Sequence, residues 1–403
     1  MSTNRFITFH LLVTLGLHNL NRDGNGLPKS QFDGGVQRAR LSSQSLKRGA
    51  RRLYREAGHN ESVRTRLGAF EVVRRVTQAA DREDLTVDLD KVIDAAVAGI
   101  RALYAGSTNT ATLELNRKTI RRLLELTGRK TDDEAAAAAA AELAQSEADS
   151  KKEAAGKDTI AFLSTMELDA FAQVILNAQR TGSSVDEAFI KDSTSAALDI
   201  AAFGRMFAEQ QALGTHAAVS VSHATTVHRM QLITDYFTAV EDVVNTDSGA
   251  AHIGENYFTS GTYYRSFTID VDQLARSWSA FHGEDAPSAV SDLVRSLILA
   301  LPSGKVNGTN ASVLPDVVLA EVQNFRVAYG FEEPIEAGPD GGYSAPAVQA
   351  LAAQRRRALG FDPSIFGEAA VAGNVDGADF GAPALGSIDA LTQFAVDKVY
   401  EDR

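Results

Sequence analysis

The first sixty residues restrict this chain more than any other stretch. Residues 5–16, RFITFHLLVTLG, form a near-continuous apolar run that reads as a buried strand. It is too short to span a membrane, and His10 and Thr14 interrupt it, which argues against a secretion signal. Residues 17–42 hold glycines, a proline and no lasting periodicity, and are expected as one ordered loop. Loops of that length are uncommon unless they carry function. Ser42 or Ser43 then stands where a helix N-cap belongs, and Leu46, Ala50, Leu53, Tyr54 and Ala57 make an apolar stripe that stops at Gly58.

Charge is distributed unevenly around that helix. The 403 residues carry 40 Lys/Arg against 52 Asp/Glu, a net −12. Residues 1–66 run the other way, with twelve Lys/Arg (5, 22, 29, 38, 40, 47, 48, 51, 52, 55, 64, 66) against four acids (23, 33, 56, 61). An acidic chain repels bulk polyanions, so a basic island within it must act by close, shaped contact with an anion. Lys47, Arg51 and Arg55 recur every fourth residue, and Arg48 and Arg52 form an adjacent row, so the helix offers two cationic tracks. A solvated basic face would give the same pattern. The loop cations Arg22, Lys29, Arg38 and Arg40, crowding the same segment, favour a nucleic-acid backbone. Gly34-Gly35 would allow close approach of a ligand.

The remaining chain reads as α+β. Helical patterns cover 62–80, 88–105 and 112–127, and an Ala/Glu/Lys tract at 133–155 contains seven consecutive alanines, which suits a solvated helix or linker better than a core element. Strand-like patterns follow at 158–164, 196–203, 217–228, 261–271 and 316–325. Helical patterns lie near 166–180, 234–245, 286–301, 344–359 and 387–401. The segment 204–216 opens with Gly204, has Gly214 near its end and joins two expected strands, as the tip of a hairpin would; Met206 beside Arg205 could there present an exposed thioether as a wedge between bases.

Several chemistries are excluded or weak. The absence of cysteine rules out disulfides, thiolate metal sites and a cysteine nucleophile, and fits a reducing cytoplasm. No dinucleotide fingerprint is present. Pro302-Ser303-Gly304-Lys305 fails as a triphosphate loop because Leu299 stands at the first glycine position and Val306 at the magnesium-binding hydroxyl. His216, His223 and His228 lack metal-ligand spacing, so no metal or cofactor is expected. Tyr263, Tyr264 and Phe267 read as core residues of a strand. His18, Arg22 and Asp23 could form an acid–base set for RNA cleavage, or Asp23 could simply orient Arg22 or end a turn.

The joint pattern resembles one family. The run Leu20-Asn21-Arg22-Asp23, then Lys29, then GG-x-x-R-x-R-x-SSQS-x-KR from Gly34 to Arg48, is similar to the N-terminus of CasC, the backbone subunit of type I-E CRISPR Cascade complexes. Asp199-Ile200-Ala201 with Gly204-Arg205-Met206, residues 222–228 (SHATTVH), 237–242 (FTAVED), 249–254 (GAAHIG) and 258–265 (FTSGTYYR) follow in that family's order. The resemblance spans about residues 4–275 and is weak over 60–190.

The resemblance implies a right-hand shape: a palm on a modified RNA-recognition-motif (ferredoxin-like) fold, inserted helical fingers and a thumb β-hairpin. The palm would take residues 1–58, 159–203 with adjoining finger helices, and 229–403; the fingers 59–158; the thumb 204–228. Carried over by position, Arg22, Lys29, Arg38, Arg40, Ser42, Ser43, Gln44, Lys47, Arg48 and Arg51 would contact a guide backbone, with Arg205 and Met206 at the thumb's intercalation point. It further implies a non-catalytic cytoplasmic scaffold that binds crRNA without regard to sequence and stacks with neighbouring copies of itself. It would meet target DNA through the R-loop, join the large, small and crRNA 5′-end and 3′-end binding Cascade subunits, and serve a helicase-nuclease recruited to the complex. No membrane contact is implied. Related backbone subunits of other CRISPR types cleave RNA with a loop aspartate, so a guide-dependent ribonuclease using Asp23 is the alternative; a nucleic-acid chaperone acting as a single molecule is a third reading.

Overall fold

Strand β1 (Phe6–His18) is buried on both faces as far as Val13 and alternates beyond it, and its neighbours explain why. The computed structural model describes residues 5–65, 67–103, 117–127, 160–207, 210–239, 252–375 and 377–401; the Ala-rich tract lies outside them. These residues divide into two compact units, one within 1–59, 218–275 and 281–403, the other within 60–217 and 276–280.

In the first unit β1 is followed by β2 (Ser30–Asp33), β3 (Val36–Leu41) and helix α1 (Ser43–Glu56). The segment 17–42, expected as loop, thus contains a hairpin. Gly34 and Gly35, at φ +58° and +73°, supply the two left-handed residues its tight turn demands. The close approach they permit is to the chain itself: a Cβ on Gly34 would lie 1.8 Å from the Glu332 carbonyl oxygen.

The second unit holds β4 (Ser62–Thr65), α2 (Gly68–Arg82), α3 (Leu89–Ala102), α4 (Arg117–Thr127), β5 (Ala161–Ser164), α5 (Thr165–Thr181) and α6 (Leu198–Phe203). β4 and β5 pair antiparallel. The helices surround a core that includes Phe70, Val73, Ile93, Ile100, Phe171 and Ile175. Gly99 is obligatory there, since a Cβ would sit 2.2 Å from the Phe171 ring. Ser164 and Glu167 form a reciprocal capping box on α5, and Gly182 at φ +69° closes it. The stretch 196–203, expected as a strand, is mostly the short helix α6.

The chain returns to the first unit with β6 (Val219–Val221), β7 (Ala224–Thr226), β8 (Ile233–Ala239) and β9 (His252–Asp270). Helices α7 (Val271–Ser277), α8 (Ala286–Leu299) and α9 (Val306–Thr309) precede β10 (Val317–Gln323). Then come α10 (Ser344–Phe361), β11 (Phe366–Gly373), β12 (Ala384–Leu385) and α11 (Ile388–Tyr400). The ten strands of this unit form one sheet ordered β12-β11-β10-β1-β9-β7-β3-β2, with β6 and β8 paired to other stretches of β9. All pairs are antiparallel except β11 with β12.

The register places Phe9 between Ala320 and Phe267, and its ring stacks on Phe267 at 4.5 Å. Leu12, Val317 and Leu319 pack against Ala347, Leu351 and Ala352 of α10, while α1, α8 and α11 form a second helical layer. Tyr263 and Phe267 are core residues, as their alternation suggested. The helical pattern near 234–245 is strand β8 over its described part. Its hairpin with β9 leaves Leu232, Tyr236 and Ile253 exposed.

The stretch 204–228 does not form a single hairpin. Arg205 and Thr215 bridge antiparallel, a 3₁₀ turn covers Gln211–Leu213, and β6 and β7 each pair with β9. Val219–Val221 pair with Ile269, Thr268 and Phe267 of β9 instead of within the segment.

Candidate nucleic-acid interface

The cationic segment folds as a braced shelf. Asn19 Nδ2 donates to the Gly26 and Tyr257 carbonyls at 2.9 and 2.7 Å. Asn21 Oδ1 accepts from the Ser42 N–H at 2.9 Å and from the Ser45 hydroxyl at 3.3 Å, which ties the loop to the start of α1. The Lys29 N–H donates to the Asn21 carbonyl and the Arg40 N–H to the Lys29 carbonyl, at 2.9 and 2.8 Å. Lys29 and Arg40 are thereby held side by side.

The expected contact residues fall into different environments. Arg22, Gln44 and Arg48 are exposed; Lys29, Arg40, Ser43, Lys47 and Arg51 are half-buried. Arg22, Lys29, Arg40 and Arg48 make no ion pair with any described carboxylate. Arg40 Nε is buried without a hydrogen-bond partner. Burial holds Lys47 below the usual lysine pKa, so an adjacent phosphate would favour its charged form.

Three expected contacts are otherwise engaged. Arg38 is 1 % exposed and spends its guanidinium on three backbone carbonyls: Asp33 at 3.2 Å, Thr226 at 2.9 Å and Glu332 at 2.8 Å. Burial lowers its pKa, partly offset by the Asp33 charge. Arg38 therefore clamps the β2–β3 hairpin to the sheet and is not available to a ligand. Ser42 is the buried N-cap of α1, its hydroxyl accepting from the Ser45 N–H at 3.4 Å. Arg205, in the second unit, is also buried and pairs with both oxygens of Glu167, at 2.7 and 2.6 Å. Neighbouring Met206 is 80 % exposed.

His223 adjoins the candidate site, a placement that the spacing argument passed over. Its Nδ1 accepts the Ser43 N–H at 2.8 Å, capping the first turn of α1. Burial, then the charges of Arg40 and Lys29, lower its pKa below the histidine norm of 6.5. The neutral ring is the folded form, so its contribution to stability is complete above about pH 6.5 and is lost as pH falls through the lowered folded value. His223→Gln keeps an acceptor but cannot titrate. The melting-temperature difference between pH 7.5 and pH 5.5 should be smaller in that variant; an unchanged difference would contradict the assignment. His228 is buried instead, its Nδ1 bonded to the Arg229 carbonyl and its ring stacked on Tyr343 at 3.7 Å.

Asp23 points into its own loop. Its Oδ1 accepts from the N–H groups of Asn25 and Leu27 at 2.8 and 3.0 Å. His18 is buried, its Nε2 3.0 Å from the Tyr263 hydroxyl, and burial lowers its pKa to about 4. Among the described residues no cluster of His, Cys, Asp or Glu suits a metal ion, and no helix is long and apolar enough to cross a membrane.

The model of the CT1975-like protein family matches residues 7–374 of this chain. The chain belongs to that family. Its fold is also that of solved subunits from RNA-guided complexes. One, from a CRISPR RNA-guided surveillance complex in a pre-nicking state, aligns over 98 % of this chain and 100 % of its own at a TM-score of 0.73 and 24 % identity. Another, from a CRISPR RNA-guided surveillance complex, aligns over 97 % and 99 % at a TM-score of 0.64 and 22 % identity. No curated protein matches. At those identities the likeness establishes the fold, a mixed α+β architecture on a large mixed sheet.

Proposed function

We propose that this family member is the non-catalytic backbone subunit of a type I-E Cascade complex. It binds the crRNA spacer through phosphates, stacks with further copies along it as a helical filament, and presents kinked guide segments for pairing with target DNA in the cytoplasm. The observation that carries this reading is the shelf of Arg22, Lys29, Arg40 and Arg48: four cations without carboxylate partners, framed by β3 and α1, with a buried Arg40 Nε still lacking an acceptor. Unneutralised charge at fixed positions is what a backbone-directed site requires. Sequence recognition then falls to base pairing.

Lys47 and Arg51 extend the contact along α1, with Ser43 and Gln44 at its start. Arg38 and Arg205 act by positioning: the first fixes the hairpin carrying Arg40, the second holds the loop that exposes Met206 as the thumb's wedge. The neighbouring copies, the large, small and end-binding subunits, and the recruited helicase-nuclease are the partners in this reading. A binding series with unrelated single-stranded RNAs tests it: affinities equal within a few-fold support backbone recognition, and strong preference for one sequence would sink it.

Asp23 has a structural part in this account. Asp23→Ala removes two loop hydrogen bonds, a local cost of about 1–3 kcal/mol, and should leave bound RNA uncut and of unchanged length, as in the parent chain. If the parent cleaves RNA and the variant does not, the ribonuclease reading replaces the scaffold.

A further inference from the structure

The two cationic rows of α1 are not equivalent. Arg48 and Arg52 line a cavity of about 260 Å³ whose opposite wall is the loop Leu301–Gly304, part of the sequence that fails as a triphosphate loop. Two close backbone approaches build it. A Cβ on Gly304 would lie 2.4 Å from the Leu20 carbonyl oxygen, and one on Gly49 would lie 2.7 Å from that of Leu301. The Gly304 N–H donates to the Leu20 carbonyl at 3.1 Å, fixing the loop against the shelf.

The lining is cationic and hydroxylic. No carboxylate lines the cavity; Arg48 has no described ion-pair partner, and Arg52 has Glu56 at 3.6 Å, both side chains more than half exposed. The Ser45 hydroxyl is committed to the Ser42 carbonyl at 2.8 Å and to Asn21 at 3.3 Å, so it braces the wall. The charged donors left for a ligand are the two guanidiniums, four residues apart on one helix face, joined in the lining by the exposed Ser303 hydroxyl and the Asn21 amide. Forked guanidiniums match phosphate oxygens bidentately. The volume lies just below the ~300 Å³ lower end of ligand pockets, which suits one phosphoryl group with part of its sugar.

We infer that this cavity binds a phosphoryl group, held by Arg48, Arg52 and Ser303. The inference stands on the cavity; for Arg48 it deepens the guide-binding reading, and it brings Arg52 and Ser303 into the site. A nucleic-acid phosphodiester and a free or terminal phosphate share this chemistry.

The test uses the full chain, freed of RNA, titrated with inorganic phosphate and with AMP by calorimetry and ³¹P line broadening at low salt. Saturable one-to-one binding is expected, weakened at least tenfold in Arg52→Gln and in Ser303→Glu, two exposed positions whose variants should melt as the parent does. Absence of saturable binding, or equal binding in parent and variants, overturns the inference. The titration is then repeated with the chain loaded with single-stranded RNA lacking terminal phosphates. Exclusion of phosphate by that RNA assigns the site to a phosphodiester of the strand; continued binding assigns it to a free or terminal phosphate, and both support the site. Failure of the RNA to bind at all would count against the guide reading and leave the phosphate titration standing.

Discussion

Replacing Lys47 and Arg51 together by alanine is expected to lower affinity for single-stranded RNA by about 100-fold, whatever the RNA sequence. Each loses a charge-assisted contact of about 1.5–3 kcal/mol, and about 3 kcal/mol in sum corresponds to two decades. The same variant should flatten the dependence of log affinity on log salt by about 0.7 per lost phosphate contact. Fluorescence anisotropy at several salt concentrations reads both quantities. A loss confined to one RNA, or an unchanged salt slope, would place these residues outside a backbone track.

The second large effect is on folding. Glu321, 1 % exposed on β10, sits at the centre of a buried polar network. His10 Nε2 lies 3.0 Å from its Oε2, the Tyr329 hydroxyl donates to that oxygen at 2.9 Å, and Arg355 Nε donates to Oε1 at 2.7 Å. Burial alone would raise the Glu321 pKa; the His10 contact, the Arg355 charge and the Tyr329 hydroxyl together bring it below the usual 4.5. Arg355→Met leaves the carboxylate buried without its cation, at an expected cost of about 3–5 kcal/mol. Urea melts would register this, and adding Glu321→Leu should recover much of the loss. Because the folded-state pKa is depressed, the stabilisation is present above about pH 4.5 and is lost as pH falls through the folded value. A loss below about 1 kcal/mol would mean the network is incidental.

How much of this was legible in the sequence depended on whether a residue's partners were near it in the chain. Strand β1 and an N-cap at Ser42 or Ser43, which the fold places at Ser42, were readable because apolar continuity and local capping are properties of adjacent residues. Arg38 was not, because its three carbonyl acceptors include Thr226 and Glu332, far along the chain. A buried clamp and a surface contact look alike as arginine in a basic run. His223 was missed for the same reason: its role is a bond to Ser43, 180 residues away. The hairpin carrying Arg38 and Arg40 escaped notice because its strands are short and half polar, although Gly34-Gly35 is the signal that could have found it. β8 mimicked a helix because exposed residues lie on both of its faces, erasing the alternation that marks a half-buried strand. The short apolar run of α6 could not be told from a buried strand by periodicity.

That the first sixty residues concentrate cations was legible in the sequence; which of them are exposed and which are engaged by carbonyls, and that Arg205 is engaged by a carboxylate, required the fold. Arg38 fixes the hairpin that carries Arg40, and Arg205, beside Met206 in the other unit, is tied to Glu167, so replacing either should disturb the element it anchors rather than remove an exposed charge.

The most direct test of the scaffold account is size-exclusion chromatography with absorbance at two wavelengths on this chain co-expressed with a CRISPR array and the sibling subunits. The account predicts co-elution of several copies with a guide-length RNA, the number of copies growing when the guide is lengthened. An RNA-free monomer, or a complex whose copy number ignores guide length, would contradict it.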